Sequence, residues 1–81
     1  MEEIKKTVRE YIVREVFGGD NPGDLTDATP LITGGILDSI STLKLVAFLE
    51  EQYRIEVAAH EADTENMDTI ADIANLVQSK L

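Results

Sequence analysis

Apolar residues recur in this 81-residue chain with the period of an α-helix, and this period constrains the fold more than any other feature of the sequence. The helical period is found in three segments. In the first segment, the apolar residues at positions i, i+4, i+7, i+8 and i+12 are Ile4, Val8, Tyr11, Ile12 and Val16. Apolar positions at these spacings lie on one face of a helix. The first segment therefore predicts an amphipathic helix that ends at Gly18-Gly19.

The second periodic segment begins near Asp38 or Ser39, and the third follows Asp68, which we interpret as the N-cap of the last helix. The buried stripe of the second helix is predicted to contain Leu43, Val46, Leu49 and Tyr53, with Leu45 and Phe48 beside it. The apolar face of the last helix is formed by Ile70, Ile73, Ala74, Val77 and Leu81. Residues 60–65 allow one further short helix.

These segments predict an all-α fold: a small three-to-four-helix bundle with a long first loop, in a single domain over residues 1–81. The residues that we expect to hold the bundle together are Ile4, Val8, Ile12, Leu43, Val46, Leu49, Ile70, Ile73 and Val77. Because the second helix is filled with large apolar residues, we also expect no ready space inside the bundle for a long apolar chain.

The connection over residues 18–38 is punctuated by glycine and proline and has no helical period. A loop of this length in a small domain is normally functional or disordered. It contains five large apolar residues, namely Leu25, Leu31, Ile32, Ile36 and Leu37. We therefore expect the loop to pack across the helices.

Composition excludes several classes of function. The net charge is −9, and residues 38–68 hold eight acidic residues against two basic ones. Nucleic acid is an unsuitable partner for such a surface, since phosphate contacts need clustered Lys and Arg. No run approaches the ~20 apolar residues of a membrane helix, and the charged N-terminus lacks the apolar core of a signal peptide. We expect a soluble, cytoplasmic monomer with no membrane partner.

The chain also lacks the residues that metal binding and catalysis commonly need. There is no cysteine and only one histidine, His60. Residues 20–27 are similar to a calcium loop, but Pro22 takes the third position and Leu25 replaces the required glycine. No Gly-x-Ser-x-Gly motif is present. We expect no bound metal and no catalytic residue, hence a protein that is not itself an enzyme.

One short motif carries the functional signal. Gly34-Gly35-Ile36-Leu37 leads into Asp38-Ser39-Ile40, where the second helix begins. A serine at a helix start is commonly only a cap. Asp38 can cap this helix already, and an apolar Ile40 beside the serine is a feature of docking surfaces. No nearby His or Cys could make Ser39 a nucleophile, so Ser39 is better interpreted as a residue that another enzyme modifies.

With this motif, the chain resembles the acyl carrier proteins, a family that includes peptidyl and aminoacyl carrier domains. The resemblance covers nearly the whole chain: helix, long loop, Asp38-Ser39-Ile40, helix, short turn and a last helix that contains Thr69-Ile70-Ala71-Asp72-Ile73. It implies that Ser39 carries 4′-phosphopantetheine, attached from coenzyme A by a separate transferase with Mg²⁺. The terminal thiol of this arm would hold cargo as a thioester, and Asp38 would help to orient the site.

The resemblance also implies a partner-binding face on the second helix, formed by Ile40, Ser41, Lys44, Ala47, Glu50 and Glu51. Its partners would be the phosphopantetheinyl transferase, a loading ligase or acyltransferase, and downstream synthases or tailoring enzymes. Fatty-acid carriers usually have acidic residues where Ser41 and Lys44 stand, and Gly-Ala where Ile36-Leu37 stands. The Gly-Ile-Leu-Asp-Ser form is instead similar to stand-alone carriers of amino acids and of specialised metabolism, such as polyketide or nonribosomal peptide biosynthesis.

Three alternatives stay open at this point. The chain could serve housekeeping fatty-acid synthesis, or it could be an acidic helical adaptor in which Ser39 is a plain cap and no prosthetic group is present. A calcium sensor is the third.

Overall fold

The computed structural model describes residues 2–20, 23 and 25–81, and within them the chain forms four α-helices and one short 3-10 helix. The α-helices are α1 (Glu2–Glu15), α2 (Ser39–Tyr53), α3 (Thr64–Met67) and α4 (Ile70–Lys80), and the 3-10 helix spans Ala59–Glu61. The predicted small helical bundle is confirmed. In this part of the chain, no helix combines the length and the apolar character needed to cross a membrane.

Helices α1 and α4 bury most of the faces that their periods predict. In α1 the buried residues are Ile4, Val8, Tyr11 and Ile12, and in α4 they are Ile70, Ile73, Ala74, Leu76 and Val77. The prediction is wrong for Leu81, which exposes 65% of its surface because α4 ends one residue before it, and Val16 follows α1 and is only partly buried. The N-cap of α4 differs from the prediction, because the side chain of Thr69, and not that of Asp68, accepts the backbone N–H of Asp72 at 3.0 Å. Thr69 satisfies one of the free N–H groups at this helix start, which leaves the carboxylate of Asp68 for another partner.

Helix α2 is rotated relative to the prediction. Its buried residues are Thr42, Leu45, Val46 and Leu49. Leu45 is fully buried, whereas Leu43 exposes 64% of its surface. The prediction that Leu43 belongs to the core is therefore wrong, and Leu45 belongs to the core rather than to its flank.

The long connection packs across the bundle, as its apolar residues predict. Leu25, Leu31 and Leu37 are buried, and Ile32 and Ile36 are partly buried against the same core. The loop is also tied to the helices by polar contacts: Asp27 pairs with Arg9 and, at 3.6 Å, with Lys5 of α1, and its carbonyl accepts the N–H of Ala71. Asn21, Pro22 and Asp24, part of the segment compared with a calcium loop, lie outside the described residues.

The short helix expected over residues 60–65 is divided in two. The 3-10 helix Ala59–Glu61 ends before Asp63, and the carboxylate of Asp63 then caps α3 by accepting the N–H of Asn66 at 3.1 Å. Asp63 adopts an extended backbone, as N-cap residues do. A capping residue inside the predicted segment is the reason that one helix became two.

Candidate functional site

The site around Ser39 is built on the first turn of α2. Asp38 precedes the helix in an extended conformation, and its carboxylate oxygen Oδ1 accepts the backbone N–H of Ser41 at 2.7 Å. Asp38 is therefore the N-cap of α2. The carbonyl oxygen of Asp38 also accepts the N–H and the hydroxyl of Thr42, at 2.9 and 2.7 Å.

Ser39 has no part in this capping. Its side chain is exposed, and within the described residues its hydroxyl makes no hydrogen bond. The interpretation of Ser39 as a plain cap requires its oxygen to accept a helix N–H, and that role belongs to Asp38. The hydroxyl of Ser39 is thus available for chemistry at the positive end of a 15-residue helix, where an anionic group is favoured.

The carboxyl group of Asp38 stays ionised over a wide pH range. The hydrogen bond from the Ser41 N–H lowers the pKa of Asp38 below its ordinary value, because the bond is stronger to a carboxylate than to a carboxylic acid. An ionised carboxylate one residue from Ser39 is the kind of oxygen ligand that hard cations take.

The two glycines before the site shape the loop that delivers it. Gly35 has a φ of 80°, a left-handed conformation that costs a glycine little. A Cβ atom on Gly34 would collide with the backbone carbonyl of Pro30. Both glycines are therefore needed for the turn itself, in addition to leaving the approach to Ser39 open.

An open groove of about 600 Å³ lies directly beside Ser39. It runs from the end of the loop, across the first turns of α2, to the start of α3, and its walls are formed by Ile32, Leu37, Asp38, Ser39, Thr42, Leu43, Ala62, Asp63 and Thr64. The sequence did not predict this groove, since it had placed Leu43 in the core. The groove is open and lies at the surface, so the expectation that the bundle itself has no ready space for a long apolar chain stays a prediction, and it can no longer rest on Leu43 as a core residue.

No described residue of the groove could activate the Ser39 hydroxyl. Its lining contains no Lys, Arg, His or Cys, and its titratable side chains are the carboxyl groups of Asp38 and Asp63. Asp38 is occupied with capping α2 and Asp63 with capping α3. The arrangement can accept a group on Ser39 and leave room beside it, but a base for the transfer would have to come from elsewhere.

The residues predicted to bind partners do not share one environment. Ile40, Lys44, Ala47 and Glu51 are exposed, and Leu43 lies exposed among them although the sequence had placed it inside. Ser41 and Lys44 line a narrow cleft against Tyr11 and Glu15 of α1 and against Val16, which follows that helix.

Glu50 is the member of the predicted face that is already engaged. It is only half-exposed, and its carboxylate accepts the backbone N–H of Val57 at 3.0 Å, which fastens the segment that follows α2. A side chain held in this way is less free to meet a partner than the exposed Glu51 one position further on.

No family model matches this chain, and the search of curated proteins found no match. Among solved structures, this chain is similar to a protein chain described as "Crystal structure of FAD-dependent dehydrogenase". The two chains have 33% sequence identity and superpose with a TM-score of 0.76. The similarity covers 86% of this chain and 97% of that one.

Proposed function

We propose that this protein is a non-catalytic carrier that holds acyl or aminoacyl groups as thioesters on 4′-phosphopantetheine attached to Ser39. The observation that carries the proposal is that Asp38 and Ser39 have different roles at the start of α2. Asp38 caps the helix, and the exposed hydroxyl of Ser39 is left without a hydrogen bond in the described structure. A serine that served only the helix would be expected in the capping position.

The surroundings of Ser39 suit the proposed group. A phosphodiester on Oγ would lie at the N-terminal end of α2, where the helix dipole favours negative charge. The groove beside it supplies apolar walls from Leu37 and Leu43 and the polar side chain of Thr64. When bound, the arm would supply a terminal thiol, which this cysteine-free chain lacks.

An acidic adaptor without a prosthetic group is the alternative from another class. Such an adaptor would need only the charged surface. Its function would not require an exposed serine that does not cap the helix, or a groove that begins at that serine. The proposal favours the carrier because the exposed apolar side chains Ile40 and Leu43 and the groove all lie within one turn of Ser39.

The similarity to a solved chain suggests a class of partner enzyme. Because this chain spans nearly all of that solved chain, the solved chain also has about the size of one small domain. That structure is described as one of an FAD-dependent dehydrogenase, and we propose an enzyme of this class as one partner to test beside loading ligases and synthases.

The pathway that we propose is specialised metabolism, with housekeeping fatty-acid synthesis as the alternative. The exposed part of α2 nearest to Ser39 carries Ile40, Leu43 and Lys44, and its first turn has no acidic residue. Partners that recognise an acidic helix start would find no carboxylate there other than that of Asp38, which caps the helix.

Intact-mass measurement tests the proposal. The purified chain is incubated with coenzyme A, Mg²⁺ and a broad-specificity phosphopantetheinyl transferase, beside the variants Ser39→Ala and Ser41→Ala. We expect the wild type and Ser41→Ala to gain one phosphopantetheinyl group and Ser39→Ala to gain none, because residues two apart on a helix face different directions.

Fragmentation of the labelled chain should place the added mass on Ser39. Since Asp38 and not Ser39 caps α2, the Ser39→Ala variant should stay folded, with a change in unfolding free energy within about 0.5 kcal/mol. A wild-type chain that takes no label, or a Ser39→Ala chain labelled at Ser41, would overturn the assignment.

A further inference from the structure

The carboxylate of Asp68 is bound to a loop that lies 35 residues earlier in the chain. Its Oδ1 atom accepts the backbone N–H groups of Ile32 and Thr33, both at 2.9 Å, and its Oδ2 atom accepts the Thr33 hydroxyl, also at 2.9 Å. The backbone carbonyl of Asp68 accepts the N–H of Leu31 at 2.6 Å. Four hydrogen bonds therefore join one residue between α3 and α4 to three consecutive residues of the long loop.

The bonds to Asp68 hold the segment that leads directly to the serine. Within residues 31–37, the N–H of Leu37 binds the carbonyl of Leu31 at 2.8 Å and the N–H of Gly35 binds that of Ile32 at 3.1 Å. The segment is thus a closed turn whose two ends, Leu31 and Leu37, are buried. Asp38 follows Leu37 without a break, so the position of the turn determines where the cap and Ser39 are placed.

Helix capping does not explain the side-chain bonds of Asp68. Thr69 is the N-cap of α4 and Asp63 that of α3, and although Asp68 stands at the C-cap of α3, its carboxylate binds the loop. The hydrogen bonds from the backbone and side chain of Thr33 and from the backbone of Ile32 lower the pKa of Asp68 below its ordinary value, because they favour the carboxylate over the carboxylic acid. Hydrogen bonds to an ionised acceptor are about twice as strong as neutral ones, which suits Asp68 to fixing a loop.

We propose that Asp68 is a positioning residue for the modification of Ser39: it holds residues 31–33 so that Asp38 and Ser39 are presented to the transferase in one geometry. The inference rests on the proposed function of Ser39 and adds a residue to it that lies outside the Asp38-Ser39-Ile40 motif. Asp68 does not line the groove and does not touch the serine. Its effect is exerted through the loop.

Three variants separate positioning from general stability. Asp68→Ala removes all the side-chain bonds to the loop. Asp68→Asn is the conservative partner, because an amide oxygen can still accept the N–H groups of Ile32 and Thr33 while the amide nitrogen donates to the Thr33 hydroxyl. Thr69→Ala removes the cap of α4, one residue away, and leaves the loop contacts intact.

Steady-state kinetics of phosphopantetheinyl transfer give the first readout, at a temperature where all variants are folded. We expect Asp68→Ala to lose about tenfold or more in kcat, since small misplacement of a reacting group is costly. The KM for the carrier should change little, because the exposed residues of α2 are untouched. Thr69→Ala should stay close to the wild type, and Asp68→Asn should lie between the wild type and Asp68→Ala, because it keeps the bonds to the loop but not the charge that strengthens them.

Amide hydrogen exchange gives a second readout that needs no transferase. In Asp68→Ala we expect faster exchange at Ile32 and Thr33 and, further along, at Leu37 and Ser41, whereas Thr69→Ala should leave these amides protected. If Asp68→Ala is labelled as fast as Thr69→Ala and keeps its protection at Leu37 and Ser41, this inference is wrong while the function of Ser39 stands. If the wild type takes no label, the proposed function fails, and the inference fails with it.

Discussion

Leu43 and Leu45 stand two residues apart on α2, and the structure treats them in opposite ways. Leu45 is fully buried on the inner face, together with Thr42, Val46 and Leu49. Leu43 is 64% exposed on the outer face and forms part of the wall of the groove beside Ser39. Of two identical side chains, one therefore packs in the core and the other lines the groove. Only their positions on the helix distinguish them.

The comparison explains why the apolar pattern of α2 was misread. Counting only apolar residues, Leu43, Val46, Leu49 and Tyr53 form a plausible stripe. Thr42, Leu45, Val46 and Leu49 have the helical spacing i, i+3, i+4 and i+7, but the stripe begins with a residue that carries a hydroxyl. Thr42 is buried because its hydroxyl donates to the carbonyl of Asp38, so it needs no water.

The largest effect should come from the inner leucine. Leu45→Ala leaves a cavity in the core and should lower the unfolding free energy by about 2–5 kcal/mol, measured by urea denaturation. Leu45→Met, which nearly conserves volume, should cost less than about 1.5 kcal/mol. A small loss for Leu45→Ala would mean that Leu45 is not in the core.

The next largest effect should come from Thr42. Thr42→Val keeps the shape of the side chain and removes the hydroxyl that binds the Asp38 carbonyl, so the unfolding free energy should fall by about 0.5–1.5 kcal/mol. Thr42→Ser keeps the hydroxyl and removes the methyl group. Comparing the two by thermal and urea unfolding separates the polar from the apolar contribution, and a more stable Thr42→Val would show that the bond does not support the inner face.

Acid should weaken the start of α2 and the loop before it. The pKa values of Asp38 and Asp68 are lowered in the folded chain by backbone hydrogen bonds from Ser41 and Thr33 respectively. A lowered folded pKa contributes stability that is present above the unfolded pKa, 3.8 for Asp, and is lost as pH falls through the folded value. We therefore expect the unfolding free energy to decrease below about pH 4.

A pH series of urea unfolding curves would measure this effect. Asp38→Asn is the matched control, because asparagine caps a helix about as well as aspartate and does not titrate. Its stability should fall less steeply below pH 4 than that of the wild type. Identical slopes for the two chains would contradict the role of the Asp38 carboxylate.

The smallest effect on stability should come from the outer leucine. Leu43→Ala removes an exposed side chain, so the unfolding free energy should change by no more than about 0.5 kcal/mol. A loss as large as that of Leu45→Ala, in the same urea titration, would restore the sequence-based assignment of Leu43 to the core and remove it from the groove.

Local contacts made much of the site predictable from the sequence. Asp38 binds the N–H of Ser41 three residues later, so the cap, the helix start and the position of Ser39 follow from neighbouring residues. The apolar faces of α1 and α4 follow from their helical period in the same way. The apolar content of the loop was enough to predict that it packs on the bundle.

Distant contacts decided what the sequence left open. Asp68 stands before a helix and looks like a cap, yet its carboxylate binds Ile32 and Thr33, which no local rule links to it. Leu43 and Leu45 have the same intrinsic preferences, and the orientation of α2 against the rest of the bundle determines which one is buried. The sequence alone specified the three long helices and the serine at the start of α2, because these depend on residues within a turn of one another. The tertiary structure decided which face of α2 is covered, where the groove opens and which aspartate holds the loop, because these depend on packing between segments far apart in the chain.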